Sequence, residues 1–195
     1  MASTRYVFAS IAPALAMSHF CSMEPILAER LVDKNLSKIQ IGIFFSIFPG
    51  IYVLCSSTMH VIPLKVEKRV RIILGYVLNC VAFFLVGPSL LLYMPDSLIV
   101  MAIGQALGGA MMAHIMMPSL IEMVEYAETR FPGQEYQVTN MSAGVYNATQ
   151  GIGYLIAPLY GSTVNHILGF RLTMDIIAVI DLAFAIAYFL SAGGF

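Results

Sequence analysis

A few residues in this chain combine reactive chemistry with an improbable place for it. Glu24, Glu122 and Asp181 fall within long apolar runs, Glu24 directly before Pro25 and Asp181 in the middle of IIAVIDLAFAIAYF. Glu125 and Glu128 follow Glu122 at helical spacings. A charge in hydrocarbon is expensive, so an acid inside an apolar span is by default a site hypothesis. Facing lipid, an ionised Asp181 would cost about 2.5–3.5 kcal/mol even on the lenient insertion scale. It must turn inward, stay protonated or meet a partner protein, and it is the candidate partner contact. His19, His60 and His114 lie in or near spans. A histidine titrates near neutral pH and can relay protons, although a hydrogen-bonded packing role is the commoner use. Asn79, Gln105, Asn147 and Gln150 can line a cavity or join helices through hydrogen bonds. Tyr146, Tyr154 and Tyr160 can border an aromatic substrate or serve as core. The cavity-lining candidates are Asn147, Gln150, Tyr154, Gln105 and His114.

Catalysis is not expected. There is no phosphate loop, nucleophile motif or metal-ligand spacing. Cys21, Cys55 and Cys80 all sit in apolar runs with no Cys-x-x-Cys or Cys/His cluster, so neither a metal site nor a disulfide framework is expected. No cofactor is implied.

The elements that must position these groups are membrane spans. The chain of 195 residues is 59% hydrophobic and 11% charged, with a mean hydropathy of +0.82, a composition suited to lipid as solvent. The net charge of −1 gives no reason to expect nucleic acid as a partner. A span needs about 20 apolar residues, and six segments qualify, at roughly 6–28, 39–62, 70–92, 97–122, 140–165 and 171–193. Short links with breakers such as Pro95, Pro132–Gly133 and Gly169 join them. The longest link reads EYAETRFPGQEYQVT. The expectation is an all-α membrane protein in which residues 1–195 form a single six-helix domain. The first apolar run is long enough to be a retained span rather than a cleaved signal, and the opening Met speaks slightly for a chain of its own.

Four basic residues, Lys65, Lys68, Arg69 and Arg71, crowd between the second and third spans. With both termini inside, Arg5, Arg130 and these four give six basic residues inside, against Arg30, Lys34, Lys38 and Arg171, four outside. The positive-inside rule then favours that orientation, with the four-residue patch as the inside anchor at the headgroups. Inside means cytosol or matrix, and an organelle or vesicle membrane is expected ahead of the plasma membrane. Of the sequons at Asn35, Asn140 and Asn147, only Asn35 would face outside, too near the bilayer for glycosylation to be expected.

Close packing of helices in lipid relies on small residues. The fifth span, GVYNATQGIGYLIAPLYGS, places Gly144, Gly153, Ala157, Pro158, Gly161 and Ser162 in the pattern G-x8-G-x3-[small]-P-x2-[small][small]. This makes a smooth face interrupted by a proline that removes a backbone donor.

That pattern resembles the antiporter motif of the major facilitator superfamily, G-x8-G-x3-GP-x2-GG, with Ala157 and Ser162 in place of two glycines. The resemblance covers nearly the whole chain. SMEPILAERLVDKNLSKIQIGIFFSI is similar to the start of the C-terminal half of vesicular amine and polyamine transporters and drug–proton antiporters. FFLVGPSLLL is similar to the end of the ninth helix, MPSLIEMVEYAE to the tenth and GFRLTMDIIAVI to the start of the twelfth. It implies half of a major-facilitator fold, a 3+3 inverted repeat equivalent to helices seven to twelve. It also implies Glu24 and Glu122 as proton-coupling candidates, and a small organic or cationic substrate. Such carriers bind substrate between two six-helix halves, so a second half is implied, from another copy or a separate chain.

The stretch SSTMHVIPLKVEKRVRIILG departs from that family. The superfamily gating loop reads G-x-x-x-D-[RK]-x-G-R-[RK]; here Lys68, Arg69 and Arg71 keep its basic end, while Ile62, Pro63 and Leu64 occupy the region of its Asp. In the parent fold the twelfth helix is peripheral, which makes Asp181 on the sixth span the more unusual. An alternative is therefore a non-transporting accessory subunit of a larger membrane complex that retains the fold.

Overall fold

The computed structural model describes residues 4–58 and 66–191. They form six helices: α1 (Thr4–Asp33), α2 (Lys38–Thr58), α3 (Lys68–Val86), α4 (Leu98–Arg130), α5 (Glu135–Leu168) and α6 (Phe170–Ser191). Five of them, all but α5, are long and apolar enough to cross a membrane. The chain thus has the build of a multi-pass integral membrane protein. α5, which holds the segment expected as the fifth span, is not among those five; it carries Asn140, Asn147, Thr149, Gln150, Thr163 and Asn165 along its length.

The boundaries differ from the sequence reading in two instructive places. The third span stops at Val86, not near residue 92. Pro88 has no amide to donate and restricts the residue before it, and the chain turns through 87–97. Conversely, the fourth and fifth helices extend well into the long link, leaving only residues 131–134 between them. The polar stretch EYAETR is good helix-forming sequence once it leaves the apolar layer.

Local chemistry sets the other junctions. Ser37 and Gln40 form a reciprocal cap at the start of α2: Ser37 N–H donates to Gln40 Oε1 at 2.8 Å and Gln40 N–H to Ser37 Oγ at 3.4 Å. Ser97 caps α4 by accepting from the amide of Ile99. Gly169 separates α5 from α6 with φ +78°, a left-handed conformation that favours glycine. Prolines within α1, α2, α4 and α5 are tolerated because neighbouring helices can meet the freed backbone groups.

The packing does not follow chain order. α1 lies mainly against α5, α2 against α4, α3 against both α4 and α6, and α1 crosses α4. One core layer gathers Met23, Leu27, Phe83, Met101 and Met174, and the other Ile72, Tyr76, Ile115, Met116 and Tyr188. α2 and α5 flank this core and bury little: only Phe44 and Phe48 of α2, and Val138, Ser142, Gly153, Ala157 and Gly161 of α5.

Glycines set the closest crossings. A Cβ at Gly153 would collide with the Ala14 carbonyl, and one at Gly161 with Ser22, so α5 seats directly on the α1 backbone. A Cβ at Gly109 would collide with the Phe48 carbonyl, which seats α4 on α2 in the same manner. Of the α5 motif, Gly153, Ala157 and Gly161 are buried in this seam, whereas Gly144, Pro158 and Ser162 are exposed.

Candidate functional site

Polar chemistry inside the bundle falls into three places. The first is a buried triad. Asp181 of α6 is 0% exposed and turns inward. Its Oδ1 accepts from Nδ1 of His19 on α1 at 2.8 Å, and its Oδ2 accepts from Nδ2 of Asn79 on α3 at 2.7 Å. Three helices thus meet on one carboxylate. Beside it, Ser22 Oγ donates to the hydroxyl of Tyr160 at 3.2 Å, and the Tyr160 ring stands edge-on to the His19 imidazole. The expectation of Asp181 as a partner contact is corrected here: the cost of a carboxylate in hydrocarbon is met within the chain by two hydrogen bonds.

The second place is the face shared by α1, α2 and α5. Glu24 is exposed on it, within electrostatic reach of Cys21 and Tyr154. Tyr52 of α2 lies within the same reach of Tyr146 and Tyr154. Asn147, Gln150 and Tyr154 follow at helical spacing on α5, Asn147 and Tyr154 exposed and Gln150 half-buried. Gln150 Nε2 and the Tyr146 hydroxyl both reach Met116 on α4, at 3.8 and 3.3 Å from its sulfur. The structure therefore places Glu24 within reach of Tyr154, one of the cavity-lining candidates, with Asn147 and Gln150 farther along the same helix toward its start.

The other two candidates lie elsewhere. Gln105 is 1% exposed and its side-chain amide points to Met23 Sδ at 3.6 Å, so it joins α4 to α1 inside the core. His114 is half-buried where α4 packs on α3, with Arg71 as its electrostatic neighbour. Neither residue belongs to the face carrying Glu24.

The third place is a charged recess at one end of the bundle, lined by Arg5, Glu67, Lys68, Arg69, Glu122 and Glu125. Lys68 pairs with Glu125, and Arg69, 5% exposed, lies 3.5 Å from Glu67. Glu122 therefore sits among the basic residues expected as an anchor, and apart from Glu24. The reading of those residues as a plain headgroup anchor changes accordingly: Arg69 is buried, and Lys68 is bridged to α4. Lys65 and His60 lie outside the described residues.

The opposite end holds a network that composition did not suggest. Asp96 accepts from Arg30 Nη2 at 2.5 Å and Lys34 Nζ at 2.9 Å. Arg171 stands one turn before Asp175 on α6, at a spacing that suits an ion pair. Instead its Nε donates to the Pro88 carbonyl at 2.5 Å and its Nη2 to the Met94 carbonyl at 2.7 Å. Asp175 Oδ2 accepts from the amides of Leu90 and Leu91 at 3.1 and 3.4 Å. Together the two residues fasten α6 to the turn between α3 and α4, whose backbone groups would otherwise lack helical partners.

Sequence reasoning missed Tyr52, since a lone tyrosine in an apolar run carries no signal, and missed that His19 meets Asp181. Among the described residues no group of three or more His, Cys, Asp or Glu side chains is placed to hold a metal ion. Compared with known proteins, the chain matches no family model and no curated sequence.

Proposed function

We propose that this chain is one half of a major-facilitator-type transporter, derived from a proton-coupled antiporter of small organic or cationic molecules. Its substrate cavity would be completed by a second six-helix half, whether a second copy, a separate chain or another part of the same polypeptide. The observation that carries the reading is the packing order. Exchange α1, α2 and α3 for α4, α5 and α6, and α1 on α5 becomes α4 on α2; α3 on α4 becomes α6 on α1; α3 on α6 and α1 on α4 map onto themselves. The α6–α1 contact is much slighter than its α3–α4 counterpart, and the slight α5–α6 and α1–α3 contacts have none. Two three-helix repeats of opposite topology would pack in this way.

The bare flanks add to it. α2 and α5 present Ile43, Leu54, Leu155 and Leu159 at more than half exposure, and the Glu24 face lies between them. Such a face suits one wall of a two-walled cavity, with Glu24 as the proton-coupling acid and Tyr52, Asn147, Gln150 and Tyr154 as substrate contacts. Glu122, in the charged recess, would act on the gate, tying the basic end of the loop before α3 to α4. The accessory-subunit reading drew in part on Asp181 as a partner contact; with that carboxylate satisfied internally, the altered gate loop still speaks for it.

The test is proton-driven uptake of a panel of organic cations into native membrane vesicles carrying the wild-type chain or E24Q. Loss of uptake in E24Q, with the chain still inserted and assembled, supports the reading. Equal uptake removes Glu24 from the mechanism.

A further inference from the structure

We propose that His19 and Asp181 together form a proton-binding site inside the bundle, reached through the groove between α1, α5 and α6. The pair is separate from the Glu24 face and the charged recess, and the inference stands whether or not the chain transports.

The geometry carries it. His19 is 1% exposed and Asp181 0%, yet a groove of about 310 Å³ reaches His19, walled by Ile11, Leu15, Ile152, Ile156 and Ile180, with Ser18 and Tyr160 as its polar margin. Nδ1 of His19 is committed to Asp181 Oδ1 at 2.8 Å, which leaves Nε2 as the nitrogen that can gain or lose a proton. Without that proton the pair carries a full negative charge in an apolar core, and with it the pair is neutral overall. Asn79, donating to the other carboxylate oxygen at 2.7 Å, holds the Asp side chain in place in either state.

The surroundings supply no competing charge. Among the described residues, the groups acting on the Asp181 carboxyl are His19 and Asn79. Tyr76 and Cys80 of α3 and Tyr160 of α5 stand within its electrostatic reach, Tyr160 also near Cys21 of α1. Phenols and thiols are ordinarily neutral at and below neutral pH. The proton on the pair is therefore the positive charge that balances Asp181.

The experiment uses the full chain in lipid nanodiscs. H60Q, H114Q and H166Q leave His19 as the only histidine of the four, and ¹⁵N-histidine labelling reports the protonation of each ring nitrogen from pH 9 to pH 5. The expected result is one proton added at Nε2 across that range, with Nδ1 hydrogen-bonded throughout. In D181N on the same background, the Nδ1 signal should shift, because the carboxylate oxygen 2.8 Å from it is gone. Ile156→Trp, which fills the groove, should slow hydrogen–deuterium exchange at Nε2 without changing the Nδ1 signal. A His19 ring whose protonation does not change between pH 9 and pH 5 overturns the proposal and makes the pair a fixed structural hydrogen bond. This holds even if D181N fails to fold, since the titration is read on the chain that keeps Asp181. Exchange at Nε2 as fast in I156W as in the unfilled chain overturns the groove as the route.

Discussion

Gly153 of α5 lies against the backbone of Ala14 on α1 so closely that no Cβ fits between them; the Ala14 carbonyl already occupies the place. Gly144 and Gly151 on the same helix have open space at that position. The difference separates glycines that set the α1–α5 crossing from those that do not. G153A should therefore destabilise the chain by about 1–3 kcal/mol through forced displacement, while G144A and G151A stay within about 0.5 kcal/mol. Unfolding in mixed detergent micelles compares the three. Equal losses would mean that α5 is not seated on α1 as described.

Removing one member of a buried hydrogen-bonded pair leaves the other without its partner. D181L leaves His19 and Asn79 without their shared acceptor at a site with 0% exposure. The expected cost is about 3–5 kcal/mol, seen as a lower midpoint of thermal unfolding for the purified chain. Had Asp181 served mainly to meet a partner, D181L would leave the isolated chain unchanged and alter only its assembly.

At the other end of the bundle, acid should loosen the junction of α1 with the α3–α4 turn. Burial pushes the Asp96 carboxyl up, but the hydrogen bond from Lys34 and the charges of Arg30, Lys34 and Arg171 outweigh it and hold it below the ordinary range. A depressed carboxyl contributes stability above its unfolded value, about 3.9, and loses that contribution as pH falls through the folded value. Wild type should thus exceed D96N in stability at pH 6 and converge with it below about pH 4. The group is partly exposed and screened by solvent, so the gap should be no more than about 1 kcal/mol and smaller in high salt. A constant gap down to pH 2 would assign the effect to something other than this carboxylate.

Tyr76 is fully buried and donates to the Ala12 carbonyl at 2.5 Å, joining α3 to the first half of α1. Ala12 precedes Pro13. Y76F keeps the ring and removes only the donor, so it should cost about 1 kcal/mol. Y76L also loses the ring's contact with Phe184 and should cost more. Thermal unfolding of the two variants separates hydrogen bond from packing.

Much of the architecture was legible in the sequence because it depends on local properties. Apolar runs of membrane-spanning length specify helices, since a backbone in hydrocarbon must satisfy itself. Small residues on the fifth span announced a close crossing, and Gly153, Ala157 and Gly161 make it. The cost of a mid-span acid announced that Asp181 needed a partner. The third span's early end and the long extensions of α4 and α5 were less legible, because apolar content ceases to report helix boundaries once the chain leaves the apolar layer.

What only the tertiary structure decided is which groups meet. His19 and Asp181 stand 162 residues apart, and nothing in the spacing of either tells that α1 and α6 approach beside Asn79 of α3. The same holds for Tyr154 with Glu24 and Tyr52, and for Arg171 and Asp175 each holding the turn after α3. Helix periodicity says which residues share a stripe on one helix. It does not say which neighbour that stripe faces, because the order of packing follows from how glycine and proline let backbones approach across the whole bundle.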